Sequence, residues 1–342
     1  MTDERVPADT SLRGALRALR GLFGDGALAA AGSGPALERI AMRSDPPSVA
    51  PCVLLEGPGA RPIEVPADPL VVAFLDGVQR SRVVGYHSGS PLIYASVAAA
   101  VRARVARRLE SWCDPRVRRA LYASRGRLGE PAWNQLVESG VPVVDITADL
   151  TADAIPVHPL ALRARALDLV ALEREGLERR LAADWCRRES RWLWIDGGIS
   201  GNLAVDERAT AFGVVKSHTT LYGSAEQVAS VLALAEAERS PAFLVGHRPR
   251  RAVASWYLRL RTAAGGDPLH GLVRVEISPP ADMLDPEHIT DDARARFTAH
   301  CDRIAGGILA ERAPLSRPDP RWDTLTYGIH ACEMYLDALV GI

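Results

Sequence analysis

The sequence predicts an α/β protein in which helices flank a mixed central sheet and a helical extension comes first. Short apolar runs rich in valine, typical of strands buried on both faces, alternate with segments of helical periodicity. The composition, 47% hydrophobic and 24% charged over 342 residues, is that of a globular protein with a sizeable core. We assign residues 1–65 to an N-terminal helical extension and residues 66–342 to the main domain.

The order of the elements follows from periodicity and from Gly/Pro-rich breaks. Strands are predicted at 71–79, 81–86, 91–97, 141–146, 192–196, 211–217, 242–245, 253–260 and 272–277. Helices are predicted at about 11–23, 159–187, 225–238, 290–309 and 330–340. The first three strands follow one another closely, which indicates an antiparallel meander.

Two aspartates follow apolar runs in predicted strands. Asp76 comes after Val-Val-Ala-Phe-Leu, Asp196 comes after Trp-Leu-Trp-Ile, and a glycine follows each aspartate. An unpaired buried carboxylate costs several kcal/mol or takes up a proton, so stability does not explain it. The repeated pattern predicts carboxylates gathered around a metal ion.

The long helix predicted at 159–187 supplies a third carboxylate. Glu173 falls inside its apolar stripe, whereas Glu175 and Glu178 fall on its arginine-rich outer side. Glu173 is therefore the predicted ligand, and Glu175 and Glu178 stay open as alternatives because no sharp motif surrounds any of the three.

A meander whose first strand carries an aspartate, then a helical glutamate, then a strand with a second aspartate, is how an RNase H-like nuclease site is assembled. Such hydrolysis uses metal ions about 4 Å apart, one activating water and one holding the leaving oxygen. Carboxylates, waters and substrate phosphate are sufficient ligands for Mg²⁺ or Mn²⁺. The sequence therefore predicts an RNase H-like core.

Lys216 and His330 are further candidates. Lys216 is the only lysine among 41 basic residues, and a bias towards arginine leaves lysine where a compact ammonium is needed. We predict that it lies beside the site and attracts the scissile phosphate; an ordinary exposed lysine is the alternative. His330 precedes the last predicted helix and is predicted as a metal ligand or proton-transfer group, the alternative being a capping or core histidine.

Arginine-dense segments predict a track for a DNA backbone, with solvated protein faces as the alternative. One segment spans residues 102–127. The second group, with Tyr257 and Trp256 available for base stacking, is Arg248, Arg250, Arg251, Arg259 and Arg261.

Several short segments, in the same order, resemble the NurA nucleases that partner HerA-type hexameric DNA-translocating ATPases. They are residues 74–77, 194–199, 213–217, 256–260, 273–277 and 327–331, within a resemblance that covers about 70–342. The family's Asp-Gly-Ser reads Asp76-Gly77-Val78 here, and its Asp-Gly-Ser-Leu reads Asp196-Gly197-Gly198-Ile199. Both carboxylates are kept although both serines are replaced.

This resemblance implies a Mn²⁺- or Mg²⁺-dependent deoxyribonuclease, exo- and endonucleolytic on single strands and duplex ends. It implies a homodimer that receives DNA from a HerA-like ATPase in end resection, repair or anti-phage defence. The implied metal ligands are Asp76, Glu173, Asp196 and His330, with Lys216 and Tyr327 completing the catalytic group.

Two other functions stay open. The protein could be a catalytically inactive DNA-binding adaptor or regulatory subunit of such an ATPase, which the lost serines favour, or an RNase H-like enzyme acting on RNA. The polar start and the lack of about 18 consecutive apolar residues predict a cytoplasmic protein without membrane contact. Five scattered cysteines without a CxxC pattern indicate neither a disulfide framework nor a zinc site.

Overall fold

The computed structural model of the protein describes residues 10–27, 46–67, 70–106, 108–202, 205, 210–246, 252–262, 267–312 and 324–340. The helices are α1 Leu12–Ala27, α2 Arg125–Leu128, α3 Glu130–Glu138, α4 Pro159–Arg188, α5 Ala225–Leu232, α6 Asp291–Ala310 and α7 Tyr327–Val340. The strands are β1 Ser48–Ala50, β2 Val53–Leu54, β3 Arg61–Pro62, β4 Val71–His87, β5 Ser90–Val105, β6 Arg108–Ser111, β7 Arg116–Ala123, β8 Val143–Asp145, β9 Trp192–Asp196, β10 Ala211–Val215, β11 Thr220–Tyr222, β12 Glu238–Arg239, β13 Phe243–Val245, β14 Val253–Arg259 and β15 Leu272–Ile277.

One mixed sheet holds most of these strands. Its main path runs β2-β13-β14-β15-β10-β9-β4-β5-β7-β8, with β3, β6 and β12 attached beside it, while β1 and β11 form a separate pair. In the centre β4 is parallel to β9 and β9 is parallel to β10, whereas β5 is antiparallel to both β4 and β7. The predicted α/β class with a mixed central sheet and flanking helices is confirmed.

Helices cover both faces of the central strands. Ala73 and Leu75 of β4 pack into one apolar cluster with the buried side of α4. Phe74 and Val78 point the other way, towards clusters that include α6 and α7. This alternation is the two-residue period of a strand, and it leaves β4 buried on both faces at the level of Asp76.

The hairpin β4–β5 is longer than predicted. The strands expected at 71–79 and 81–86 form one 17-residue strand, so the predicted break after Gln79 is wrong. The far part of the hairpin is stabilised by α1, whose Ala15 and Leu19 pack with Leu92. The third strand of the meander is β7, within the segment interpreted only as arginine-dense.

Part of the predicted N-terminal extension lies in the sheet. Of residues 1–65 the structure describes 10–27 and 46–65, where α1 matches the predicted helix at 11–23. β2 pairs with β13, and β3 pairs with β12. None of the helices that the structure describes combines the length and apolar character needed to cross a membrane.

Candidate functional site

Asp76 and Asp196 occupy adjacent positions on neighbouring parallel strands. Leu75 lies opposite Ile195, so the aspartates that follow them come next in register and lie on the same face of the sheet. β9 ends at Asp196, whereas β4 continues to His87 and keeps its pairing with β5. The two carboxylates therefore meet where β9 leaves the side of β4.

The Asp76 carboxyl is buried among other charges. Its side chain is 8% exposed, and its Oδ1 accepts a hydrogen bond from the Gly77 amide at 2.7 Å. Burial raises the pKa of Asp76 to about 8; the Asp196 and Glu178 carboxylates add to the rise, and the Lys216 ammonium opposes it. The Asp76 carboxyl is consequently mostly protonated at neutral pH when no cation neutralises the cluster.

Glu178 is the helical carboxylate whose charge acts on Asp76 and Asp196, from the α4 side of β4 where Gly77 lies. Its side chain comes so close to Gly77 that a Cβ atom at that position would overlap its carboxylate, which explains the glycine after Asp76. Burial raises the pKa of Glu178 to about 7; its ion-pair partner Arg174 opposes the rise, and Asp196 adds to it. A side chain at position 77 would have to displace the Glu178 carboxylate from this place.

Glu173 lies on the opposite flank of α4, so the prediction that it points inward is wrong. Its carboxylate is 3.5 Å from Arg118 and 3.7 Å from Arg180, and the side chain remains 31% exposed. Glu178 was assigned to the outer side because arginines surround it. One of these arginines, Arg174, forms an ion pair with Glu178.

Lys216 follows β10 directly and lies beside Asp196. Its Nζ is 2.8 Å from Oδ1 of Asp196, yet the contact lacks hydrogen-bond geometry. That buried oxygen therefore has no hydrogen-bond partner in the part of the chain that the structure describes. The ammonium offsets the charge of the Asp196 carboxylate.

His330 reaches the same region from the first turn of α7. It lines a small cavity of about 30 Å³ together with Lys216 and Glu333, whose carboxylate is 3.8 Å from the His330 Nδ1. This nitrogen is buried and makes no hydrogen bond with any described residue. Tyr327, the first residue of α7, is 50% exposed and does not line the cavity.

Glu276 is a residue of this region to which the sequence assigned no role. From β15 its carboxylate accepts a hydrogen bond from the Ile199 amide at 2.8 Å, and it pairs with Arg274 at 2.5 Å. The intervening turn uses Gly197 at a φ of +98°, where L side chains are strained. Glu276 therefore holds the loop after Asp196 in place. The alternation of Arg274 and Glu276 within an apolar strand is the signal that could have revealed it.

Most of the predicted DNA contacts cannot be placed on the surface. Arg248, Arg250 and Arg251 lie outside the described residues. Arg259 and Tyr257 are fully buried on the interior strand β14, so their assignment as DNA-binding residues is wrong in this conformation. The Arg259 guanidinium donates to four backbone carbonyls of neighbouring loops, and the Tyr257 hydroxyl accepts from the Tyr222 amide at 2.9 Å. Both side chains serve packing.

The cluster has the donor chemistry of a hard-cation site but no closed coordination shell. Within the described ranges, no three side chains of His, Cys, Asp or Glu are arranged to hold a metal ion. Three carboxylates nonetheless lie in one region with two cations, Lys216 and Arg174, beside them, and Oδ1 of Asp196 is buried without a hydrogen bond from a described residue. Carboxylate oxygens are ligands that Mg²⁺ and Mn²⁺ prefer, and a bound cation would relieve the repulsion between the carboxylates.

Comparison with known families finds no family model that matches the chain, and comparison with curated proteins finds no similar sequence.

Proposed function

We propose that the protein is a metal-dependent DNA nuclease of the NurA type, built on an RNase H-like core. The observation that carries this proposal is the meeting of Asp76, Glu178 and Asp196 in one electrostatically coupled cluster. The three carboxylates come from the first central strand, from the helix after the meander, and from the strand that follows this helix.

The strand order supports the RNase H-like assignment. Across the centre of the sheet it runs β7-β5-β4-β9-β10, and β5 alone is antiparallel to the other four. Numbered in chain order these are strands 3-2-1-4-5, the arrangement of RNase H-like nucleases. Their catalytic carboxylates come from the first strand, the helix after the third strand and the fourth strand, which correspond here to β4, α4 and β9.

In this proposal Asp76, Asp196 and Glu178 hold Mn²⁺ or Mg²⁺, and Glu178 replaces Glu173 as the helical ligand. A bound cation would supply activation of water and stabilisation of the phosphate charge. Asp76 must release its proton for the cation to bind, so cation affinity rises with pH.

Lys216 and His330 have roles of their own. The Lys216 ammonium neutralises part of the cluster before substrate arrives and attracts the scissile phosphate. His330 accepts or donates a proton through its buried Nδ1, which lies 3.8 Å from the Glu333 carboxylate, or adds that nitrogen to the metal shell.

The partners follow from the sequence resemblance. We propose that the substrate is DNA, cut at duplex ends and in single strands, that the protein acts as a homodimer, and that a HerA-like hexameric ATPase delivers the DNA. End resection, repair and anti-phage defence are the processes such an activity serves.

Alanine substitution of either aspartate tests the proposal. In Asp76→Ala or Asp196→Ala, Mn²⁺-dependent cleavage of labelled DNA should fall on the order of a thousandfold, because a charge that stabilises the reacting phosphate through the cation is lost. Circular dichroism should show a folded protein. The exposed Asp292, which pairs only with arginine on α6, provides the control Asp292→Ala, expected at wild-type activity. Full activity in either aspartate variant would contradict the assignment.

A catalytically inactive adaptor is the second candidate, favoured by the lack of a closed ligand shell among the described residues and by the Lys216–Asp196 ion pair. Calorimetric titration with Mn²⁺ separates the two. A nuclease should show a binding site that disappears in Asp76→Ala, whereas an adaptor should show no site that depends on Asp76.

A further inference from the structure

Arg179 is an exposed arginine of α4 without a charged partner. It makes no ion pair or hydrogen bond with any residue of the chain as described. Its neighbours differ, since Arg174 pairs with Glu178 and Arg180 pairs with Glu173. Binding a phosphate would therefore cost Arg179 no existing ion pair.

Its position links Arg179 to the carboxylate cluster. It follows Glu178 directly, and its Nη1 is 4.0 Å from the point where a Cβ atom of Gly201 would lie. Gly201 belongs to the loop that begins after Asp196 and that Glu276 anchors through the Ile199 amide. The guanidinium thus lies beside the loop that leads away from the cluster.

The chemistry of the cluster creates a need for such a group. The two cations beside Asp76, Glu178 and Asp196 are already paired, Lys216 with Asp196 and Arg174 with Glu178. A guanidinium presents paired N–H donors that match two phosphate oxygens, and it is more weakly hydrated than an ammonium. An arginine without an ion pair at the edge of the cluster can bind a phosphate without breaking either of these pairs.

We propose that Arg179 binds a backbone phosphate of the DNA strand beside the carboxylate cluster and so positions the strand for cleavage. This inference rests on the proposed nuclease function. It makes Arg179 a phosphate-binding residue, distinct from the carboxylates, whose contribution is measurable without any metal.

The test is binding of a fluorescein-labelled single-stranded oligonucleotide to the full chain in EDTA, across about 50 to 200 mM salt. Arg179→Ala should weaken binding about tenfold at low salt and reduce the slope of log affinity against log salt by about 0.7, the share of one phosphate contact. Arg179→Lys should keep the slope and lose part of the affinity. Arg180→Ala is the matched control, since Arg180 is adjacent, exposed and already paired; it should bind like the wild type.

Wild-type affinity and slope in Arg179→Ala would overturn the inference, as would equal losses in Arg179→Ala and Arg180→Ala or an absence of oligonucleotide binding by the wild type. Thermal melting of each variant shows whether it is folded. The nuclease proposal has a separate test, because it fails if Mn²⁺-dependent cleavage persists in Asp76→Ala. That result would not change the outcome of the oligonucleotide-binding experiment on Arg179.

Discussion

Two buried charge clusters lie in the same sheet, and their charges are balanced in opposite ways. In the first, the fully buried Arg239 guanidinium contacts Glu56 at 2.7 and 2.8 Å and Asp302 at 2.6 Å. Burial alone would raise the pKa of Glu56, but the hydrogen bonds and charge of Arg239 outweigh it and lower the pKa. Arg61 adds a second cation at Asp302, so the charges match.

The second cluster is not balanced. The three carboxyl groups of Asp76, Glu178 and Asp196 have two cations beside them, Lys216 at Asp196 and Arg174 at Glu178. The pKa still rises to about 8 for Asp76 and to about 7 for Glu178. A buried ion pair whose hydrogen bonds are satisfied fixes structure, whereas carboxylates forced to take up protons mark a place where binding a cation relieves a cost. The contrast indicates that the first cluster serves folding and the second serves function.

The largest effect on stability should follow from breaking the balanced cluster. Arg239→Met leaves the Glu56 carboxylate buried without its partner, which should lower the free energy of unfolding by about 3–5 kcal/mol. Chemical denaturation measures the loss. Arg61→Met is the control, because Arg61 is 44% exposed and its ion pair with Asp302 is worth less than about 1 kcal/mol. Equal losses of unfolding free energy in Arg239→Met and Arg61→Met would contradict the structural role of the buried Arg239–Glu56 pair.

The next largest effect should separate the two glutamates of α4. Glu178→Gln removes a carboxylate from the unbalanced cluster and should reduce Mn²⁺-dependent cleavage about a hundredfold. Glu173→Gln breaks only half-exposed ion pairs and should retain wild-type rates. Single-turnover rates on labelled DNA, with calorimetric Mn²⁺ titration, provide the comparison. A greater loss in Glu173→Gln would return the ligand role to Glu173.

The sequence predicted the strand-borne part of the site because local pattern determines it. Asp76 and Asp196 interrupt apolar runs that can only be buried, and their occurrence in two such runs indicates a shared site. Lys216 was singled out by composition. The helical member was not predictable in the same way: Glu173 and Glu178 both border apolar positions, and which of them faces β4 depends on how α4 lies across the sheet.

The other errors also have non-local causes. Arg259 and Tyr257 have the side chains of a nucleic-acid surface, but both are buried in the fold. Leu232 at the end of α5 and Tyr222 of β11 are among their hydrogen-bond partners. β7 was not predicted, because the arginines of this segment indicated a charged surface. In Arg116-Val117-Arg118 the alternation of arginine and valine was already the period of a strand with one solvated face.

The smallest effect, a change in melting temperature with pH, should distinguish the clusters without any assay of activity. In the metal-free protein the folded-state pKa is raised from 3.8 to about 8 for Asp76 and from 4.5 to about 7 for Glu178. Between these limits the folded state binds more protons than the unfolded state, so this contribution to stability is fully present below about pH 4 and is lost as pH rises to about 8.

Asp76→Asn removes the titrating group, and its melting temperature should exceed that of the wild type by several degrees at pH 8 and by less at pH 5. Saturating Mn²⁺ should restore the wild type at pH 8 and act far less on Asp76→Asn, because the cation replaces the proton at the same carboxylate. Subtracting the melting temperature of the wild type from that of Asp76→Asn at each pH cancels the contribution of Glu56 and of carboxyl groups elsewhere. A difference that does not change with pH would mean that Asp76 does not titrate in this range, which would contradict its raised pKa.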